Sequence, residues 1–409
     1  MQSKFRLLVV RLGAMGDILH ALPAVTALRQ AHPEWVIDWV VEPRWRALLA
    51  AERLEHEGQV LREFPEEHGS RAKARVDSAG IKRGLKPPPP SESSFPAVCE
   101  ALSAACEAAP LQGGRGPAQP LVDRLHLAPT KDWRRAPLSL KTIHEVKALR
   151  RALRAEEYDA VLDLQGAVRS AVVGRMVGCR LIGEAEPRER IARWLFTERV
   201  ATRGAHVIEQ DVELASAVAG DALTPAAPWL PVDVAAEAWA DRMLPSGGSQ
   251  PAVVINPGAG WGAKRWPAER YAVVAKGLAD RGLHVLVNAG PGEEALADAI
   301  AQGTGGAAAP LTCSLAQLIA LTRRIALCVG GDTGPLHLAC ALGRPVVGIY
   351  GPTDPSRNGP FGTRFRVLRS PESRRDHTRR AAPEAGLLTI QPQEVLSAAD
   401  ELLAEETAS

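Results

Sequence analysis

A short apolar run, Phe5 to Val10, passes directly into the glycine turn Gly13-Ala14-Met15-Gly16-Asp17. The segment that follows carries apolar residues Ile18, Leu22, Val25 and Leu28 at intervals of three or four. Strand, glycine turn and helix form the unit from which parallel sheets are wound, and the chain repeats it. Trp35 to Val41 (WVIDWVV), Leu121 to Leu127 and Ala160 to Leu164 (AVLDL) read as further strands, and Ser139 is placed to cap a basic helix that runs to about Glu157. In the second half Ala252 to Asn256, Leu283 to Asn288, Ile325 to Val329 and Pro345 to Tyr350 read as strands, with helices opening near Pro267, Gly292, Ser314 and Thr333. Sustained alternation of this kind predicts the α/β class, with parallel sheets covered by helices on both faces.

Two interruptions divide the pattern. Between about residues 64 and 120, KPPPPSESS and QGGRGPAQP carry no sustained period of either kind, as expected of an inserted surface segment. The stretch LPSGGSQP, Leu244 to Pro251, gathers glycine, serine and proline between two regular regions. At 409 residues the chain is too long for one compact core. The expected organisation is a Rossmann-like domain over 1–243, a linker over 244–251, a second Rossmann-like domain over 252–390, and a terminal helix and tail over 391–409. Two such domains face each other across a cleft, with ligands outside the carboxyl ends of the strands.

Net charge excludes a global attraction to nucleic acid, because the formal balance is only +2. Positive charge is instead local: Lys131 to Arg203 holds 16 Lys and Arg against 10 Asp and Glu, with Arg188, Arg190, Arg193, Arg199 and Arg203 close together at its end. That cluster is either a solvated face or a site for an anionic ligand. The six cysteines form no CxxC pair and have no histidines at metal-ligand spacing, so reduced cytoplasmic thiols are expected. The amino terminus lacks the pattern of a signal peptide, and no window reaches the roughly 20 apolar residues that span a bilayer, so any membrane association is expected to be peripheral.

Candidate site residues sit where strands end. Gly13 and Gly16 let the backbone come close to a ligand, but their GxxG spacing matches neither the GxGxxG of dinucleotide binders nor a P-loop. Asp17, at the start of a helix, either caps it or serves as a proton acceptor. The loop Asn256 to Pro267 combines exposed backbone amides with Lys264, which suits a diphosphate, although an ordinary long loop would read the same. Gly330 to His337 (GGDTGPLH) is another strand end opening a helix. There Asp332, Thr333, Gly334 and the following amides would meet an anion, and His337 is either a further phosphate donor or a satisfied structural histidine. Glu293, at a third helix start, either accepts from ribose hydroxyls or merely caps.

Taken in order, GAMGDILHALPA at Gly13 to Ala24, DWVVE at Asp38 to Glu42 and YDAVLDLQGAVRSA at Tyr158 to Ala171 carry a resemblance. AKRWP at Ala263 to Pro267, GDTGPLHLACALGRP at Gly331 to Pro345 and YGPTDP at Tyr350 to Pro355 complete it. The set resembles glycosyltransferase family 9, the ADP-heptose:lipopolysaccharide heptosyltransferases, and the first heptosyltransferase more than the second. The resemblance implies a GT-B fold and inverting transfer of heptose from ADP-heptose to a Kdo hydroxyl of a lipid A acceptor, at the inner face of the inner membrane. It implies Asp17 as general base, Lys264 as donor-phosphate lysine, Asp332, Thr333, Gly334 and His337 as the diphosphate and sugar loop, and Glu293 as the ribose partner. Arg188, Arg190 and Arg193 are then candidates for the anionic acceptor. No cofactor or metal is implied, since the sequence shows no DxD pair. A nucleotide-sugar epimerase and a non-catalytic sugar-nucleotide binder are the alternatives on the same scaffold.

Overall fold

The computed structural model describes residues 4–51, 120–244, 250–375 and 381–407. Nearly all of the proline-rich inserted segment, and residues 245–249 of the expected linker, lie outside them.

The first half contains β1 (Arg6–Val10), α1 (Met15–Ala31), β2 (Val36–Val41), β3 (Arg124–Leu127), α2 (Thr130–Arg135), α3 (Leu140–Ala155), β4 (Ala160–Asp163), α4 (Val168–Arg175), β5 (Arg180–Glu184), β6 (Glu198–Val200) and α5 (Val207–Ala219). A single 3-10 turn, Arg190–Trp194, lies between β5 and β6. The six strands are parallel and lie in the order β3-β2-β1-β4-β5-β6. Ser139 caps α3 as expected, its hydroxyl accepting from the Thr142 N–H at 3.1 Å.

The second half repeats the plan with α6 (Val234–Met243), β7 (Ala252–Asn256), α7 (Ala268–Asp280), β8 (His284–Ala289), α8 (Glu294–Gly303), β9 (Ala308–Thr312), α9 (Leu315–Thr322), β10 (Leu327–Gly331), α10 (Gly334–Ala341), β11 (Val346–Tyr350), α11 (Pro355–Asn358), β12 (Phe365–Arg369) and α12 (Pro392–Thr407). Its strands are also parallel, in the order β12-β11-β10-β7-β8-β9. In each half the first strand lies between the second and the fourth, so the winding reverses direction beside it. Loops leaving these central strands open the crevice where ligands enter doubly wound sheets. The α/β, GT-B expectation is met.

Continuous apolar strands are needed because both faces of each sheet are covered. Leu7 and Val9 of β1 point into one core, with α1, while Leu8 and Val10 point into the other, with α3 and α4. The core around α1 does not stop at the half boundary: Leu318, Ile319 and Leu338 from the second half pack into it. Helix α1 is therefore buried around its whole middle, from Ile18 to Arg29.

The crossing between the halves differs from the expected linker. Ala236 and Ala240 of α6 share a core with Val254, Leu286 and Leu321 of the second half. Glu237 of α6 pairs with Arg323 and Arg324, and Asp241 with Arg324. The chain thus changes sheets before Val234, in the proline-containing stretch 224–233, rather than at 244–251.

Candidate functional site

The starts of α1 and α10, one from each half, meet head to head. A Cβ on Gly16 would lie 3.0 Å from Cδ2 of His337, and one on Gly334 would lie 2.6 Å from Sδ of Met15. At Gly334 a Cβ would force Met15 to shift, and at Gly16 the imidazole would have to give by a few tenths of an ångström, so both positions favour glycine for this close approach. Gly13, with a φ of 140°, turns the chain over Trp45, whose indole would sit 2.5 Å from any added Cβ.

Asp17 stands at this junction, one-third exposed. Its Oδ2 accepts from the backbone N–H of Ala14 at 3.0 Å, so the capping role is realised. Two guanidinium groups approach it, Arg11 at 3.7 Å from Oδ1 and Arg188 at 3.9 Å from Oδ2. One side of the carboxylate remains open to solvent.

Across the junction Asp332 organises the second half. Its Oδ2 accepts from Nζ of Lys264 at 2.5 Å, and its Oδ1 lies 3.0 Å from Nε2 of His337. Burial opposes ionisation, but the His337 hydrogen bond and the Lys264 charge win and hold this carboxyl far below the usual range. His337 is engaged at both nitrogens, since Nδ1 lies 3.2 Å from Nε2 of His20 on α1. As placed, it frames Asp332 and leaves neither ring nitrogen to a phosphate. Lys264 lies at the end of the 3-10 turn Gly262–Lys264, 5.0 Å from the Trp261 ring, and keeps donor capacity beyond its one partner. The Thr333 hydroxyl is turned to the Gly331 carbonyl at 3.3 Å, while Thr333 and Gly334 open α10 toward the junction.

Glu293 precedes α8 without capping it through its side chain. It presses onto the glycine loop after β7, where a Cβ on Gly258 would lie 1.9 Å from its Oε2, and pairs with Arg265 at 3.7 Å. Arg188 reaches Asp17, whereas Arg190 and Arg193 continue along the 3-10 turn, Arg193 lying 5.0 Å over the Trp194 ring. The sequence reading thus collects Gly16, Asp17, Arg188, Lys264, Asp332, Gly334 and His337 at one place, and sets Arg190, Arg193 and Glu293 around it.

Sequence reasoning missed the buried polar layer beneath Asp17. Asp163 ends β4, and its Oδ1 accepts from the N–H groups of Gln165 and Gly166, both at 2.8 Å. Gln165 in turn accepts from the Leu12 N–H at 2.8 Å, which fixes the strand end feeding the Asp17 loop. Asp211 on α5 is buried with its Oδ2 unpartnered. Burial pushes its carboxyl up to about 7; Arg11 pulls the other way, and Asp17, Glu184 and Asp163 add repulsion. The native protein therefore holds a proton there that the unfolded chain has already released between about pH 4 and pH 7. This contribution is present in full near the unfolded value and is lost as pH rises through about 7. Asp211→Asn, which fixes the uncharged form, is expected to stabilise the protein by up to about 4 kcal/mol at pH 8, with the gain shrinking toward pH 5. Urea titrations of both proteins at the two pH values check this; an equal difference at both would refute it. His20 and His206 lie in the same seam, held neutral chiefly by burial, His206 pushed down to about 4.

The family profile of glycosyltransferase family 9 (heptosyltransferase) matches residues 146–387, more than half of the chain. Lipopolysaccharide heptosyltransferase 1 of Escherichia coli K12 is 29% identical over 371 residues, spanning 90% of this chain and 94% of that protein. The Pseudomonas aeruginosa PAO1 protein of the same name is 26% identical over 362 residues, 87% of this chain and 81% of that one. Among solved structures, E. coli heptosyltransferase WaaC with ADP superposes with a TM-score of 0.66 at 25% identity, over 97% of this chain and all of that one (100%). E. coli ADP-heptose LPS heptosyltransferase II shares the fold, with a TM-score of 0.64 at 21% identity over 98% of this chain and 100% of that chain. With its doubly wound halves and ordered motifs, the chain belongs to glycosyltransferase family 9, the heptosyltransferases.

Proposed function

We propose that this glycosyltransferase moves heptose from ADP-heptose to a Kdo hydroxyl of a lipid A acceptor, inverting the anomeric carbon. The observation that carries the reading is the seam at Gly16 and His337, which sets the Asp17 carboxylate and the Lys264–Asp332 pair on neighbouring loops of opposite halves. Names of relatives similar over most of this chain, and the ADP bound in the E. coli WaaC structure, support the donor.

Asp17 takes the proton of the acceptor hydroxyl as that oxygen attacks the anomeric carbon from the side opposite ADP. One displacement gives inversion. Lys264 and the backbone amides opening α10 stabilise the negative charge that grows on the departing diphosphate. Asp332 and His337 fix the lysine in place, and Glu293 meets the nucleotide ribose. Arg188, exposed and beside Asp17, draws an anionic acceptor to the base, with Arg190 and Arg193 extending the same positive surface.

Incubation with ADP-heptose and Kdo-bearing lipid A is expected to add one heptose to the acceptor by mass, with the anomeric configuration reversed by NMR. A changed sugar nucleotide formed without acceptor would instead reveal an epimerase. Arg188→Gln is expected to raise the acceptor KM by about tenfold with donor binding preserved. Weakened donor binding with an unaltered acceptor KM would overturn the arginine's assignment.

A further inference from the structure

Among the described residues, six large apolar side chains left in solvent, Leu138, Leu140, Ile143, Val172, Ile191 and Trp194, lie on one layer of the first half, that of α2, α3, α4 and the 3-10 turn covering one face of its sheet. Val232, Val234, Val273 and Leu388, by contrast, are exposed singly or in a pair elsewhere. Leu138 and Leu140, at the start of α3, are 87% and 85% exposed, and Ile143 follows one turn later. Ile191 and Trp194, on the 3-10 turn, are each 69% exposed. The first group follows β3 and the second follows β5, strands on opposite sides of β1 in the sheet order. They flank the loop that carries Asp17.

Basic residues surround both groups. From residue 131 to 151 there are seven Lys and Arg against two acidic residues, and from 188 to 203 five against two. Those acids are partly spent within the protein: Glu145 accepts from the Trp133 indole, Glu189 from the Val168 N–H, and Glu198 from Arg180. The Trp194 ring carries two guanidinium groups, Arg193 at 5.0 Å and Arg199 at 5.5 Å. An exposed indole between arginines, with Ile191 on the same turn and Leu138, Leu140 and Ile143 in the second group, is poorly suited to water. It matches the boundary of a bilayer, where indole and aliphatic tips enter the acyl edge and guanidinium groups meet anionic headgroups. Among the described residues no helix is long and apolar enough to cross a membrane, so contact through this layer would be interfacial.

We infer that the exposed apolar residues flanking the Asp17 loop, with their arginine and lysine surround, form a docking surface for an anionic lipid bilayer. The inference rests on the proposed acceptor for its purpose, since a lipid-anchored sugar would be presented to Asp17 at the membrane surface. The contact itself needs neither donor nor acceptor. Apolar insertion and charge act together here: attraction to anionic lipid falls with salt, while insertion gives a residual grip.

Sedimentation with vesicles tests it. The protein is expected to pellet with phosphatidylethanolamine–phosphatidylglycerol vesicles at low salt, less so at high salt, and to stay in solution with pure phosphatidylcholine. The triple variant Leu138→Ser, Leu140→Ser, Ile191→Ser is expected to bind the anionic vesicles about tenfold less or weaker still. Its rate on a deacylated, water-soluble acceptor should be unchanged, which also shows that it folds. Trp194→Phe should remove most of the blue shift in indole emission that the vesicles produce. Equal vesicle binding by the parent and triple variant, or no binding by the parent, would overturn the surface. Vesicle binding without heptosyl transfer would sink the acceptor reading and leave the surface standing.

Discussion

Asp17→Ala is expected to lower the transfer rate by about 10²- to 10⁴-fold, the range for loss of a positioned proton acceptor, while ADP-heptose binding stays within a few-fold of the parent. The asymmetry follows from its place: the carboxylate belongs to the first half, and the residues proposed to hold the donor phosphates belong to loops of the second. Substitution also removes the bond to the Ala14 N–H, a capping loss of about 1 kcal/mol that leaves the fold intact. Asp17→Asn separates the two effects, because an amide oxygen still accepts from Ala14 but takes no proton. Single-turnover kinetics with donor titration decide the matter, and full turnover by either variant would remove Asp17 from the proposed mechanism.

Lys264→Ala is expected to weaken both donor affinity and transfer, with the rate falling by about 10²- to 10³-fold if the ammonium balances charge on the leaving diphosphate. It also strips the buried Asp332 carboxylate of its cation, leaving His337 as the side-chain partner on Oδ1. Breaking a largely buried pair from one side costs about 3 kcal/mol, so urea unfolding should shift as well. Lys264→Ala combined with Asp332→Asn relieves the unpaired charge. The double variant should therefore regain stability without regaining transfer, and recovery of both would make the lysine's role purely structural.

Much of the fold is written in the sequence because both faces of the two sheets are covered. Central strands β1, β2, β4, β7, β8, β10 and β11 are near-continuous apolar runs, and each is recognisable as such. Strands β6, β9 and β12 sit at sheet edges, where burial is one-sided or partial; Glu198–Val200 is only three residues with two charges and Phe365–Arg369 carries two arginines in five, so neither forms a continuous apolar run. Strand β5 is inside the sheet but has only Leu181 and Ile182 as branched apolar residues between Arg180 and Glu184. The place where the chain changes sheets was also hidden: helix α6 is short and weakly apolar, and only packing reveals which sheet its alanines serve.

The site divides in the same way. Residues at strand ends next to glycines, Asp17, Lys264, Asp332 and His337, announce themselves through local pattern. His20 and Asp211 do not, because each lies inside an ordinary helix, and it is the neighbouring helix or half that makes a polar side chain on a buried face consequential. His337 shows the limit of local reading: one residue fits a phosphate ligand and a structural strut equally well until the imidazole of His20 occupies its other nitrogen.

Gly16 and Gly334 also make each half depend on the side chains of the other. A methyl group at Gly334 would collide with Met15 of the opposite lobe, and one at Gly16 would press on His337. A hybrid enzyme assembled from the lobes of two relatives would therefore need these small residues matched to the opposing His337 and Met15, in addition to a fitted core where Leu318, Ile319 and Leu338 meet helix α1.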